Sequence, residues 1–202
     1  MGCYTVILNA VFSYTSRGCY MPEADLAGAV RRLRESQGMS VRVLATRTGV
    51  SASFLSQVEN GLASPSIATM ERIAAGLGVT LAQFFQDAAG VTPAAVVRAD
   101  ARMLLTSEWS KARIERVGGS GVGGRLDAVL VTIEPGGMSG KQPYPAPREE
   151  FAMVTEGRVM LTLGKVDHVL DAGDAVTIPG GGERRWHNPY PVAACVLMAS
   201  SR

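Results

Sequence analysis

The chain has 202 residues, 47% hydrophobic and 19% charged, with a formal net charge of +2. That composition lets it bury a core in one or two domains, and no apolar stretch approaches the length of a membrane span, so no membrane partner is expected. The small net charge neither supports nor excludes a nucleic-acid partner, because local clustering matters more than the sum. Cys3, Cys19 and Cys195 have no metal-ligand spacing. A reducing cytoplasm is therefore the expected location.

Residues 1–20 differ from the rest of the chain. The apolar run Val6-Ile7-Leu8 is broken by Asn9 and no Lys or Arg precedes it, which makes a poor secretory signal. Met1-Gly2 is followed by Val6 where a myristoylation motif needs Ser or Thr. The expectation is that Met21 is the true start or that this tail is disordered. A first domain is expected over 21–87, a linker over 88–95 and a second domain over 96–202.

Pro22 and Glu23 lead into a first helix through about Gln37, with Leu26, Val30 and Leu33 at helical spacing and Gly38 as the stop. Ser40 can cap a second helix with an apolar side at Val43 and Leu44, ended by Gly49. Val50 fills the turn. Ser51 caps a third helix whose apolar stripe is Phe54, Leu55 and Val58, closed by Gly61. Ser66 caps a fourth, with an inward face of Ile67, Met70, Ile73, Ala74 and Leu77, ended by Gly78. Thr80 would cap a short fifth carrying Leu81, Phe84 and Phe85. On the third helix, Ala52, Ser53, Ser56, Gln57 and Asn60 fall opposite the stripe. They are small or amide side chains, of the kind that approach base edges closely and hydrogen-bond to them.

The stretch Leu44-Ala45, Gly49-Val50-Ser51, Leu55-Ser56-Gln57-Val58-Glu59-Asn60-Gly61, then Pro65-Ser66 and Ile73 to Val79, resembles the phage-repressor-like, or XRE, helix-turn-helix family. The resemblance covers residues 25–86 and implies a five-helix domain that binds double-stranded operator DNA. Within 21–87 the Arg residues and the acidic residues balance. One monomer should then bind weakly, and a homodimer reading two half-sites would compensate. Arg42 and Arg47 flank the turn and suit phosphate contacts, as does Ser51; Arg72 is read as a solvated charge. The resemblance also aligns Arg34 with an arginine that pairs with Glu59. Independently, Glu59 sits near a helix C-terminus, where the helix dipole disfavours a carboxylate and a cation is needed.

Beyond Pro93 the pattern changes to short apolar stretches: Val96-Val97, Arg113 to Val117, Leu126 to Ile133, Phe151 to Val154, Val159 to Leu163, Val166 to Leu170, Ala175 to Ile178 and Val192 to Met198. Turn signals such as Glu134-Pro135-Gly136-Gly137 separate them, which reads as a β-sandwich or barrel. The run Gly173, Pro179-Gly180-Gly181, Arg184 and Asn188 resembles the second motif of the cupin family, with Arg184 in place of its usual histidine. Tyr144, Ala146, Glu150 and Gly157 fall where cupins place His, His, Glu and Gly. The resemblance, over 96–199, implies a double-stranded β-helix barrel, so the chain reads as α then β. Only Glu150 keeps a metal-ligand identity, and Arg184 is a permanent cation, so neither a metal nor any other cofactor is expected. His168 and His187 lie off the motif and read as surface or loop residues.

Tyr144, Glu150, Arg184 and Trp186 are candidates for a small-molecule pocket; alternatively Glu150 and Arg184 only neutralise each other in a core. The two resemblances together imply a sequence-specific regulator with an effector-sensing or dimerising barrel and no catalytic residue. A cupin enzyme tethered to DNA, and a barrel that only dimerises, are the alternatives. Deleting residues 2–20 should leave melting temperature and DNA affinity unchanged, because that segment has no periodic apolar face to pack; a clear drop in melting temperature would refute this.

Overall fold

A computed structural model describes residues 25–81, 96–119 and 126–201. The expected tail at 1–20, the expected linker at 88–95, and Phe84 and Phe85 of the expected fifth helix lie outside the described residues.

Four α-helices are described, and each starts on a side chain that takes a free N–H of its first turn. α1 (Leu26–Ser36) is capped by Asp25, which accepts from the Gly28 amide at 2.9 Å. Pro22 and Glu23, expected to lead into this helix, lie outside the described residues. α2 (Val41–Thr48) is capped by Ser40 and α3 (Ala52–Glu59) by Ser51. Gly49 between them has φ +64°, a left-handed turn that a residue without Cβ adopts freely. α4 (Ile67–Gly76) is capped by Ser66. Val30, Leu44, Val50, Leu55, Ile73 and Leu77 form the centre of the helical core. Val43, expected beside Leu44 on the buried side, is 45% exposed. The inward arc of this helix is centred on Leu44, Ala45 and Thr48, which leaves Val43 on its outer side.

The second half is two antiparallel sheets. One has the order β1 (Leu104–Ser107), β2 (Ala112–Gly119), β3 (Leu126–Ile133), β10 (Ala194–Ser201), β5 (Glu150–Glu156), β8 (Ala175–Ile178). The other runs β4 (Tyr144–Pro145), β9 (Glu183–His187), β6 (Arg158–Leu163), β7 (Val166–Asp171). Alternation along the strands places Ile114, Val131, Val154 and Val196 of the first sheet in one core with Val159, Leu161 and Trp186 of the second. Three strand expectations are corrected. Val96-Val97 is not in a strand, and Val96 is exposed. β10 starts at Ala194, because the Val192 carbonyl accepts from the Asn188 side chain at 2.8 Å instead of from a neighbouring strand. β1 and β4 were not expected. The two histidines stand on strands, His168 on β7 and His187 on β9. None of the described helices is long and apolar enough to cross a membrane.

α4 joins the two halves. Ile73, Ala74 and Leu77 pack in the helical core as expected, but Ile67 and Met70 pack in the barrel core. The barrel also completes the helix N-terminus: the Ile67 amide donates to Ser110 Oγ at 3.1 Å and the Ala68 amide to the Ser139 carbonyl at 2.9 Å. Around it, Ser107 Oγ donates to the Pro65 carbonyl at 2.8 Å and Thr80 Oγ1 to Asp127 Oδ2 at 2.7 Å. Gly140 lets the barrel come close, since a Cβ there would stand 3.1 Å from that of Ala68. If α4 belongs to both cores, Met70→Ala should destabilise the chain by about 2–5 kcal/mol, as a large-to-small change in a packed core does. Val43→Ala should stay within about 0.5 kcal/mol. Urea unfolding of both variants checks this; equal small effects would mean that the seam is loosely packed.

Candidate nucleic-acid interface and barrel site

Helix α3 is held by a buried ion pair. Arg34 of α1 donates from Nε to Glu59 Oε1 at 2.7 Å and from Nη2 to Oε2 at 2.8 Å, the two-pronged geometry that fits a carboxylate. Its remaining nitrogen donates to the Met39 carbonyl at 2.8 Å. The Glu59 side chain is 3% exposed and that of Arg34 10%. Glu59 hydrogen bonding raises the pKa of Arg34 against a smaller effect of burial, so the guanidinium stays charged. Arg31 reaches the same end of the helix, with Nη2 donating to Asn60 Oδ1 at 2.8 Å. At the far end of α1, Gln37 Nε2 donates to the Leu77 carbonyl at 2.8 Å and ties it to the end of α4.

With α3 so placed, Ser53, Ser56 and Gln57 are exposed on one side of it. Ser51 is exposed at its start, where the hydroxyl accepts from the Phe54 amide. Arg42 and Arg47 are exposed on α2. Two of the sequence candidates are differently engaged. Ala52 is half-buried against the helical core. Asn60 uses both ends of its amide within the protein, accepting from Arg31 and donating to the Ser56 carbonyl at 2.8 Å. Sequence reasoning missed Arg31; only its place one turn before Arg34 signals the shared target.

In the barrel, β4 pairs Tyr144 with Arg184 of β9, and Glu150 opens β5 across the interior. Arg184 is fully buried. It donates from Nε to Glu150 Oε1 at 3.1 Å and from Nη2 to Oε2 at 2.9 Å, and it lies 4.7 Å from the centre of the Tyr144 ring. A third partner comes from the helical domain. Glu71 of α4 accepts from Arg184 Nη2 with both carboxylate oxygens at 3.0 Å. Burial opposes the charge on Arg184, but Glu71, Tyr144 and Glu150 outweigh it and raise the pKa. Burial is the largest influence on Glu71; Arg184 pulls against it and Glu150 adds to it, so the Glu71 carboxyl ends above its ordinary pKa. Glu71 was missed because one acidic residue on a charge-balanced helix carries no signal of its partner.

A cavity of about 220 Å³ lies along the seam, lined by Glu71 and Glu150 together with Ile67, Val131, Arg148 and Met198. Of the four pocket candidates only Glu150 lines it; Arg184 and Trp186 are packed behind, and Tyr144 is half-buried. Arg148 is on the wall of this cavity. The cupin metal positions hold a phenol, a methyl group, a carboxylate and a guanidinium. Both Glu150 oxygens are engaged by Arg184, so these residues do not fit a divalent ion.

Residues 30–84 match the helix-turn-helix family and residues 129–200 the cupin domain. The HTH-type transcriptional regulator PuuR of Escherichia coli is 27% identical over 164 residues, covering 80% of this chain and 87% of that protein. The HTH-type transcriptional regulator SutR of Escherichia coli is 35% identical over 82 residues, 41% of this chain and 46% of that one. An HTH_3 family transcriptional regulator from Vibrio cholerae shares the fold, with a TM-score of 0.67 at 22% identity over 88% of this chain and 95% of that chain. The chain belongs to the XRE-type helix-turn-helix transcriptional regulators, in the form that carries a cupin domain behind the DNA-binding one. The Arg34–Glu59 pair generates a stability prediction. Glu59→Ala should cost about 3 kcal/mol, the lower end for breaking a buried pair, since Arg34 keeps an edge near the surface. A double-mutant cycle on the two residues, read by urea unfolding, should show clear coupling; coupling near zero would reduce the pair to the level of surface ion pairs.

Proposed function

We propose that this regulator reads a specific operator sequence as a homodimer in the cytoplasm, with α3 in the major groove, and that its barrel senses a small-molecule effector and performs no catalysis. Gln57 and Ser53 contact base edges, Ser56 lies beside them, and Ser51, Arg42 and Arg47 contact phosphates. The observation that carries this reading is the open face of α3, with Ser53, Ser56 and Gln57 exposed and exposed arginines on the neighbouring helix. Small and amide side chains approach base edges, while the arginines supply sequence-independent attraction to the backbone. Asn60 acts at one remove, fixing the end of α3 through Arg31 and Ser56. The formal neutrality of the helical domain favours two half-sites over one.

Mapping the binding sites of the protein on its own genome supplies the operator. On that operator Gln57→Ala should lose about 1–3 kcal/mol of binding and much less on random DNA, whereas Arg42→Ala should weaken both alike with a shallower salt dependence. Equal losses for Gln57→Ala on operator and random DNA would show that this side chain does not read sequence.

A further inference from the structure

Glu71, Arg184 and the cavity beside them have no part in reading DNA. Of the two carboxylates on Arg184, Glu150 belongs to the barrel and Glu71 to the helical domain. Both carboxylate residues line the seam cavity, and Arg184 lies directly behind them. Arg184 Nη1 is a buried donor with no acceptor among the described residues, and the hydroxyl of Tyr144, whose ring lies 4.7 Å from the guanidinium, is also buried without a hydrogen-bond partner among them. Unsatisfied buried donors disfavour the arrangement as it stands, and around a guanidinium they select an oxyanion with a planar pair of oxygens.

We propose that Arg184 is the anchor for a small carboxylate effector with a short apolar body, and that Glu71 holds this place until the effector displaces it. This deepens the sensing role proposed above and rests on that reading. The exchange replaces one carboxylate by another, so Arg184 is never left as a buried unpaired charge. Glu71 is the partner to be displaced, because it comes from the other domain and burial already disfavours its charged form. With Glu71 gone, Arg184 and Arg148 face Glu150 and Asp127, and Asp127 is already engaged by Thr80. The apolar body of the effector has Ile67, Val131 and Met198 to lie against. Because the effector binds only the arrangement from which Glu71 has withdrawn, it loosens the seam under α4 and frees the helical domain relative to the barrel.

The test uses chemical rescue in the full chain. Glu71→Ala vacates the place on Arg184, and its melting temperature is followed in sodium acetate and sodium butyrate against sodium chloride of equal ionic strength. Expected is a saturable, carboxylate-specific rise of about 3 °C or more, larger with butyrate. It should be absent in Glu71→Ala/Arg184→Met, which controls for general salt stabilisation. Should Glu71→Ala not fold, Glu71→Gln is melted in the same way. Identical curves in butyrate and chloride, or a rise that survives loss of Arg184, overturn the proposal. So does stabilisation of the unsubstituted chain by butylammonium chloride in place of butyrate, which would make the cavity a cation site. Gel-shift measurements keep the two readings apart: operator binding without a carboxylate response sinks this inference alone, while an unsubstituted chain that binds no sequence specifically sinks the regulator reading.

Discussion

The structure depends on a buried cation that carboxylates from both halves answer. Arg184 is fully enclosed and leans on one carboxylate from its own barrel and one from the helical domain. A guanidinium out of water is tolerated only where its charge and donors are answered. The barrel answers part of that need with Glu150 and the face of Tyr144. The rest comes from α4, which places Glu71 on the face that also buries Ile67 and Met70. The polar contact and the apolar seam therefore stand or fall together.

Much of the fold is legible in the sequence because it is local. Ser40, Ser51 and Ser66 announce their helices by chemistry that acts within one turn, and the glycines at 49, 61 and 78 announce the turns by their backbone freedom. The alternation in Leu126 to Ile133 and in Glu150 to Val154 is a pattern of period two with an evident inner face. What escapes is whatever depends on a partner distant in the chain. Periodicity says that Ile67 and Met70 are buried, but not in which of two cores.

The sites divide in the same way. The pairing of Arg34 with Glu59 is readable twice over, from the family pattern and from the misfit of a carboxylate at a helix C-terminus. The attraction between Arg184 and Glu150 follows from the substitution of arginine for a metal-binding histidine. Glu71 is invisible beforehand, since its partner is 113 positions away. The pocket expected inside the barrel is filled by the side chains meant to line it, and the open volume lies at the seam instead. Large aromatic and guanidinium groups close a small barrel, whereas two rounded surfaces meeting at a helix leave a gap.

The two buried arginine–carboxylate clusters differ in a way that bears on their roles. Arg34 and Glu59 form a two-pronged pair in which every guanidinium nitrogen has an acceptor, and the outer partners Glu35 and Arg31 belong to the helical domain as they do. Such a pair has one favourable arrangement and serves to hold α3 in place. Around Arg184, Glu150 accepts from Nε and Nη2 and Glu71 from Nη2, which has a hydrogen for each, while Nη1 has no acceptor among the described residues. A buried donor left unanswered beside satisfied ones favours a rearrangement that gives it an acceptor. A fully answered pair beneath α3 and a partly answered cluster at the seam are what the proposed sensing requires, since the placing of α3 then stays constant while the two halves change their relation.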